Sequence, residues 1–263
     1  MKIDIHNNLI EFGSHEIEDW CVLDAIGDTN KIEEFLQGQL TSDISTLSNG
    51  SSQLSSICNH KGQVIADLIA YKHEEKFKII IDKSLMEVFV DELTPFAKFF
   101  STKFDLSNEK VIGRVSKKNS SESFYAANST FQVAIELNKQ DLKYKSTISY
   151  DKWDLANKLL GIFFLKKEDS GKYRPLEINY DKLRVSFEKG CYRGQEIVAR
   201  MKYLGVDRRK FCTFITSNDF KEINDIKILG NIIIIDDKKI FNGIIKKDQL
   251  KEMNQIPGII DIY

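Results

Sequence analysis

The segment of the chain best suited to chemistry is the octapeptide KGCYRGQE at residues 189–196, in which Cys191 lies between Lys189 and Arg193. From residue 189 to residue 210 the sequence holds seven cations and two anions, although the whole chain has a net charge of −1. Cationic neighbours and the N-terminus of a helix, which the pattern predicts over residues 191–204, both favour the thiolate form of a cysteine. The segment therefore predicts a functional thiol. The alternative is a small buried side chain beside a solvated charged face.

Composition narrows the classes of protein that could carry such a thiol. The chain has 263 residues, of which 42% are hydrophobic and 29% are charged, so it has the length and composition for a sizeable core. Its near-zero net charge excludes a protein that is basic as a whole, but it leaves room for a local basic patch. The sequence begins without an apolar signal region and holds no run of about 18 apolar residues, so we expect neither secretion nor a membrane span.

The remaining cysteines indicate neither a metal site nor disulfides. They are Cys21, Cys58 and Cys212, and no two cysteines of the chain form a CxxC pair. We therefore expect no bound metal and a location in the reducing cytoplasm. The sequence also lacks a P-loop, an HExxH motif and a GxGxxG motif, so it does not support nucleotide hydrolysis or dinucleotide redox chemistry.

Strand and helix patterns alternate in the first half of the chain. Strand patterns cover residues 53–58, 64–71 and 77–82, and helical patterns cover residues 28–40 and the segment that follows Ser84. The predicted helix starts are Asn30 with Glu33, Ser84 with Glu87 and, for a third helix that carries Trp153, Asp151. Pro95 is expected to end or kink the second helix. Short β-rich runs follow Arg209, so these patterns predict an α+β protein with a small all-β unit at its C-terminal end.

The octapeptide resembles the signature of the YgfZ family, whose members are tRNA-modifying, folate-binding proteins related to the glycine cleavage T-protein, an aminomethyltransferase. Residues 35–43 (FLQGQLTSD) and residues 58–64 (CNHKGQV) resemble the N-terminal blocks of the family. Residues 175–179 (PLEIN) resemble the segment that precedes its signature. The segments occur in the order of the family, so the resemblance spans roughly residues 20–210.

The resemblance implies a fold, a domain organisation and a role. It implies a folate-binding α+β region over residues 1–207, made of two subdomains at about residues 1–115 and 116–207 in a ring-like arrangement. A small β-barrel-like domain is expected at residues 208–263. The implied role is in iron–sulfur cluster assembly or repair and in tRNA modification. The implied partners are iron–sulfur enzymes or assembly factors and tRNA or tRNA-modifying enzymes, and we expect the chain itself to be a monomer.

The cofactor that the resemblance implies is folate, as tetrahydrofolate or a one-carbon derivative. A folate site needs an aromatic plane for the pterin, a carboxylate for its hydrogen-bond donors and cations for the glutamate tail. By resemblance to the family, the candidates for this site are Trp20, Trp153, Glu177, Lys189, Tyr192, Arg193 and Asp67. For each of them an ordinary structural role, as a core aromatic or a solvated charge, is the alternative.

A folate-dependent aminomethyltransferase is a second function that stays open. It would share the folate site with the first. The double-aspartate motif of the T-protein corresponds here to Ala66 and Asp67, and Cys191 occupies the place of an aspartate. These departures favour an accessory factor over a methylene transferase.

An RNA-binding module is the third function. The cations of residues 189–210 are interleaved with the aromatic residues Tyr192, Tyr203 and Phe211. Such a pattern suits phosphate contacts and base stacking, and it is compatible with a tRNA-linked accessory role.

Overall fold

The structure is a computed structural model and describes residues 7–118, 123–139, 145–205, 208–221, 225–253 and 256–262. Within these residues the chain forms thirteen strands and six α-helices. The strands are β1 (Gly13–Glu16), β2 (Trp20–Ile26), β3 (Ser51–Cys58), β4 (Val64–His73), β5 (Lys76–Asp82), β6 (Lys103–Leu106), β7 (Glu109–Lys117), β8 (Ala126–Ala127), β9 (Phe131–Lys139), β10 (Arg209–Ser217), β11 (Lys227–Ile235), β12 (Lys238–Lys246) and β13 (Ile259–Ile262). The helices are α1 (Thr29–Gln39), α2 (Lys83–Ala97), α3 (Tyr150–Leu159), α4 (Tyr180–Leu183), α5 (Gln195–Leu204) and α6 (Lys247–Met253).

The first sheet has the strand order β3-β4-β5-β2-β6 and is antiparallel throughout. Successive side chains of a strand point to opposite faces of a sheet. Leu23 and Ile79 are accordingly buried against α1 and α2, whereas Val22 and Ile80 are buried against the second sheet. The nearly continuous apolar runs of these strands reflect burial on both faces.

The second sheet has the order β1-β7-β9-β8, and α3 packs against β7 and β1. Its core joins Val111, Val115 and Val133 to the inner face of the first sheet. Both tryptophans of the chain, Trp20 and Trp153, belong to this core. The two α+β units are therefore packed together through one shared hydrophobic layer.

The third sheet has the order β11-β12-β10-β13, and all of its strands follow residue 208. It corresponds to the predicted C-terminal β unit. Leu155 of α3 packs with Ile215 and Ile240 of this sheet, so α3 lies between the second and third sheets. Residues 206 and 207, at the predicted boundary, lie outside the described residues, and the domain limits stay a prediction. No helix in the described residues has the length and apolar character to cross a membrane.

The predicted helix caps were wrong, because the capping residue precedes the predicted one in each case. The caps are Asp28 for α1, Asp82 for α2 and Ser149 for α3, and each side chain accepts a hydrogen bond from a backbone N–H of the first turn. All three have extended backbones, whereas Asn30, Ser84 and Asp151 are already helical. Pro95 lies inside α2, which ends two residues later at Ala97.

Candidate functional site

A cavity of about 470 Å³ lies where α3 meets elements of the first and third sheets. We call it the central cavity, and its lining residues are Asp19, Trp20, Asp82, Tyr150, Asp154, Lys158, Ile162, Phe163, Phe164, Lys166, Glu168, Asp169, Gly230 and Asn231. Pockets that bind small organic ligands are typically roughly 300–1,000 Å³. The central cavity therefore has the size for such a ligand, and it combines aromatic walls with charged groups of both signs.

Trp20 and Trp153 meet beside the central cavity. Their ring centroids are 5.8 Å apart with the rings at 90°, and the ring of Phe164 contacts both. Trp20 lines the cavity, whereas Trp153 is fully buried behind it. The indole of Trp153 lies so close to Gly113 that a Cβ there would collide with it. The structure thus brings together two predicted site residues, one at the cavity surface and one that supports it from the core.

A buried ion pair on α3 forms part of the cavity wall. Lys158 Nζ lies 3.4 Å from Asp154 Oδ2, and the two side chains are 3% and 11% exposed. The same Oδ2 atom accepts no hydrogen bond within the described residues. Burial raises the pKa of Asp154, against the opposing effects of Lys158 and Asn231. A buried carboxylate oxygen that has an ion-pair partner but accepts no hydrogen bond, at the wall of a cavity, is a site where a ligand donor fits.

This ion pair is not among the site residues predicted from the sequence. An Asp and a Lys spaced four residues apart on a helix usually form a solvated surface pair. The signal in the sequence was the position of Asp154 directly after Trp153. In the structure, every residue of α3 from 153 to 158 is buried.

Asp67 lies inside the protein and does not line the central cavity. Its carboxylate accepts hydrogen bonds from Tyr180 Oη at 2.9 Å and from Leu165 N at 3.2 Å, and Arg184 Nη2 lies 3.1 Å away. Burial raises the pKa of Asp67 to about 6, with Arg184 as the largest opposing influence. The single hydroxyl proton of Tyr180 lies between this carboxylate and the carbonyl oxygen of Phe163, which is 2.8 Å from Tyr180 Oη, and Arg184 Nη2 donates to that carbonyl oxygen. This network therefore fixes residues 163–165, which adjoin the cavity.

Glu177 also lies away from the central cavity. Its Oε2 accepts a hydrogen bond from Arg174 N at 2.9 Å, and its Oε1 lies 3.2 Å from Arg209 Nη1. The side chain thus closes the 3₁₀ turn at Pro175–Ile178 and connects it to β10.

Lys189 anchors the octapeptide to the end of α1. Its Nζ donates to the carbonyl oxygens of Gln37, Leu40 and Ser42 at 2.5, 2.7 and 3.0 Å. The last carbonyls of a helix have no partner within the helix, and the ammonium group supplies one. Burial lowers the pKa of Lys189 to about 8. Two of the four segments that carry the family resemblance, residues 35–43 and the octapeptide, are therefore joined by this side chain.

Through Tyr192 and Gly194, the octapeptide packs against the turn at residues 59–63 between β3 and β4. Tyr192 is buried, and burial raises the pKa of its hydroxyl, which has no hydrogen-bond partner in the described residues. Gly194 has φ +83°, and a Cβ there would collide with the carbonyl oxygen of Asn59. Glycine is needed at this position because both the backbone conformation and the close contact exclude a side chain.

Cys191 is exposed, and it is the only exposed cysteine among the four of the chain, all of which the structure describes. The prediction of a helix start at residue 191 was wrong, because α5 begins at Gln195 and Gly194 precedes it with a left-handed backbone. Cys191 therefore gains nothing from a helix N-terminus. Arg193 forms an ion pair with Glu92 at 2.7 Å. The thiol does not line the central cavity.

Comparisons with known proteins place the chain in a family context. It is 28% identical to the tRNA-modifying protein YgfZ of Vibrio atlanticus over 228 residues, which covers 78% of this chain and 70% of that protein. The YgfZ protein of Buchnera aphidicola is also 28% identical, over 73% of this chain and 70% of its own length. The chain is a relative of the YgfZ proteins. The predicted family resemblance is thereby confirmed.

Two further comparisons extend this result. This YgfZ relative is 31% identical to an uncharacterized protein of Haemophilus influenzae over 189 residues. The matched segment covers 69% of this chain and 66% of the Haemophilus protein, just under two thirds of that protein's length. The crystal structure of the glycine cleavage aminomethyltransferase T from Bartonella henselae superposes with a TM-score of 0.61, at 13% identity, over 92% of this chain and 80% of that one. The predicted T-protein-like α+β fold is therefore confirmed. No family model matches the sequence.

The YgfZ relative has no cluster of three or more metal-ligating side chains among its described residues. Its two candidate chemical features are separate in space: the central cavity, and the exposed thiol on the anchored octapeptide. Of the predicted site residues, the structure places Trp20 at the cavity and Trp153 directly behind it.

Proposed function

We propose that this protein binds a folate in the central cavity and serves as an accessory factor for iron–sulfur cluster maintenance and tRNA modification. The observation that carries the proposal is the cavity of about 470 Å³, with aromatic walls and the buried carboxylate of Asp154, whose Oδ2 is ion-paired with Lys158 but accepts no hydrogen bond in the described residues. The similarity to YgfZ proteins and the T-protein fold support it.

The side chains of the cavity fit the three chemical parts of a folate. Trp20 and Phe164 offer apolar faces for the pterin and the aminobenzoyl ring. Asp154 offers an acceptor to the amino and ring N–H donors of the pterin, which is the donor-rich edge that a buried carboxylate prefers. Lys158 is paired with Asp154 at the pterin end, so the cation proposed for the anionic glutamate tail is Lys166, which lines the same cavity and lies 2.6 Å from Asp82 Oδ2. A reduced folate, when bound, supplies a carrier for one-carbon groups.

The position of Asp67 favours an accessory role over methylene transfer. The double-aspartate motif of the T-protein corresponds here to Ala66 and Asp67. The remaining carboxylate is held by Arg184, Tyr180 and Leu165 inside the protein. Because the Asp67 carboxylate is fully paired, its environment fits a structural role better than proton transfer to or from a bound ligand.

Cys191 is proposed as the functional thiol toward client proteins. Its exposure leaves the sulfur accessible to a partner, whereas burial raises the pKa of Cys58 to about 12 and that of Cys21 to about 11. Because the four cysteines are free, the proposal places the protein in a reducing compartment, the cytoplasm. The clients proposed are iron–sulfur enzymes, including those that modify tRNA, and the chain is proposed to act as a monomer.

The folate part is tested by isothermal titration of tetrahydrofolate into the wild-type protein and the Asp154→Asn variant. Loss of one charge-assisted hydrogen bond in a buried site costs about 1.5–3 kcal/mol, so we expect the Kd to rise roughly 10- to 100-fold. Glu177→Gln is the matched control, because Glu177 is also a partly buried carboxylate but lies outside the cavity. Its Kd should stay within twofold of wild type. Equal affinity in all three proteins, or no binding at all, would overturn the proposed site.

The thiol part is tested in cells that lack their own YgfZ protein. We expect wild type and Glu177→Gln to restore the activity of an iron–sulfur enzyme that thiolates tRNA, and Cys191→Ser to fail despite normal abundance. Cys212→Ser is the control for a cysteine that lies outside the octapeptide. Full complementation by Cys191→Ser would remove the thiol from the mechanism and leave the folate assignment unchanged.

A further inference from the structure

A basic hollow lies where α4, the start of β10 and the start of α6 come together. It has a volume of about 190 Å³, and four cations line it, namely Lys182, Arg209, Lys210 and Lys247. All four are exposed. Lys182 and Lys210 form no ion pair with any described residue. The hollow thus collects cations from three separate elements.

The rim of the hollow extends this charge. Lys246 is the ladder partner of Arg209, and Lys247 N donates to the carbonyl oxygen of Arg208. Lys202 reaches the hollow from α5, because its Nζ lies 2.9 Å from Asp181, which is a lining residue. All three rim cations are exposed. The fold therefore gathers seven exposed cations in and around the hollow, of which Arg209 pairs with Glu177 and Lys202 with Asp181, in a chain whose net charge is −1.

The octapeptide end of the basic segment 189–210 does not contribute to this face. Lys189 is buried against α1, and Arg193 pairs with Glu92. What the fold adds in their place is Lys182, Lys246 and Lys247, which lie outside the basic segment of the sequence. The charged face is thus a product of tertiary structure rather than of the local run of cations.

A polyanion is the partner that such a face suits. Single exposed ion pairs contribute little, because both groups are well solvated, whereas several cations that contact one polyphosphate gain from the release of its condensed counterions. A hollow of this size accommodates a phosphate group, and a flat anionic surface would reach only the rim. Tyr203, next to Lys202 and 68% exposed, offers a ring for base stacking.

We propose that the basic hollow and its rim bind the phosphate backbone of RNA. The inference rests on the tRNA-modification role proposed above, but it concerns a different surface from the folate cavity. It assigns the tRNA contact to the junction of α4, β10 and α6, and it makes no use of Cys191 or of the cavity residues.

The test measures binding of an unmodified tRNA transcript by fluorescence anisotropy between 50 and 200 mM KCl. The variant is the triple charge reversal Lys182→Glu, Lys210→Glu and Lys247→Glu. We expect its Kd to rise at least tenfold and the slope of log Kd against log salt to become shallower by about 2, because each lost phosphate contact removes roughly 0.7–0.9 from the slope. The matched control, Lys31→Glu, Lys61→Glu and Lys98→Glu, makes the same change in net charge at exposed lysines elsewhere and should bind as wild type does.

Several outcomes would overturn the inference. They are equal loss of affinity in the two triple variants, a wild-type affinity that does not depend on salt, and tighter binding to phosphatidylglycerol vesicles than to tRNA. Tetrahydrofolate titration of the same triple variant provides the fold control, since its Kd should equal that of wild type. A failure of folate binding in wild type with normal tRNA binding would contradict the folate proposal and leave this one standing.

Discussion

The octapeptide and the central cavity differ in how the sequence encodes them. The octapeptide is a contiguous motif whose side chains mostly hold it in place, since Lys189 is bound by three carbonyls and Tyr192 is buried. The cavity has no motif, and its walls come from segments more than 200 residues apart, from Asp19 to Asn231. A recognisable local pattern thus marks an anchored loop that presents one thiol, whereas the cavity is formed by residues that come together only in the fold.

The same difference sets apart the roles of the charges in the two regions. At the cavity, Asp154 is ion-paired with Lys158, but its Oδ2 accepts no hydrogen bond in the described residues. At the octapeptide, the charged side chains are bound by other parts of the protein: Lys189 by three carbonyl oxygens and Arg193 by Glu92. The comparison predicts that cavity-wall changes act on stability and pH dependence, and that changes at Cys191 act on reactivity alone.

The largest stability effect is expected for Arg184→Met in the network behind the cavity wall. Arg184 is fully buried, and its loss leaves the carboxylate of Asp67 buried beside no cation. Removing one partner of a buried ion pair costs about 3–5 kcal/mol, which urea unfolding would measure. The exposed pair Arg200–Glu196 provides the control, because Arg200→Met should cost less than about 0.5 kcal/mol. A cost below about 1 kcal/mol for Arg184→Met would contradict the network.

A smaller effect is expected for Lys189→Met at the octapeptide. The variant leaves the carbonyl oxygens of Gln37, Leu40 and Ser42 without their donor, and hydrogen bonds to a charged group contribute about 1.5–3 kcal/mol. We expect a loss of about 2 kcal/mol in unfolding free energy and faster trypsin cleavage after Arg193. Unchanged cleavage would mean that Lys189 does not hold the loop.

Much of the fold could be predicted from the sequence. Strands β3, β4 and β5 match the predicted runs to within two residues, because their apolar residues bear a clear strand pattern. Helix starts were less accurate, because Asp28, Asp82 and Ser149 each lie two residues before the residue that the sequence favoured. Several residues near such a boundary can cap a helix, and only the backbone conformation decides between them.

The candidate site was harder to predict. Trp20 and Trp153 could be chosen from the family resemblance, but nothing local to Asp154 and Lys158 shows that they are buried. Their burial results from the third sheet, since Gly230 and Asn231 of β11 line the same cavity. For the same reason Glu177 and Asp67 could not be recognised as residues that lie outside the cavity, because their partners Arg209 and Arg184 are distant in sequence.

The pH dependence of stability should distinguish the Asp67–Tyr180–Arg184 network behind the cavity wall from the octapeptide. The pKa of Asp67 is raised from 3.8 to about 6 in the folded state, so the folded protein binds this proton more tightly than the unfolded chain does. Its contribution to stability is then fully present below pH 4 and is lost as the pH rises through about 6. We expect Asp67→Asn to flatten the fall in unfolding free energy between pH 4.5 and 6.5. Parallel curves for the two proteins would contradict the assignment, and Cys191→Ser should leave the wild-type curve unchanged.

The smallest stability effect, and the sharpest chemical one, is expected at Cys191. Because its side chain is exposed, Cys191→Ser should change the unfolding free energy by less than about 0.5 kcal/mol. Native wild type should take up one equivalent of N-ethylmaleimide, measured by mass spectrometry, and the variant none. The three buried cysteines should react only after unfolding in urea, since a buried thiol is neither accessible nor ionised. Rapid labelling of native Cys191→Ser would show that another thiol is exposed in solution, and the octapeptide would then lose its distinction as the reactive region.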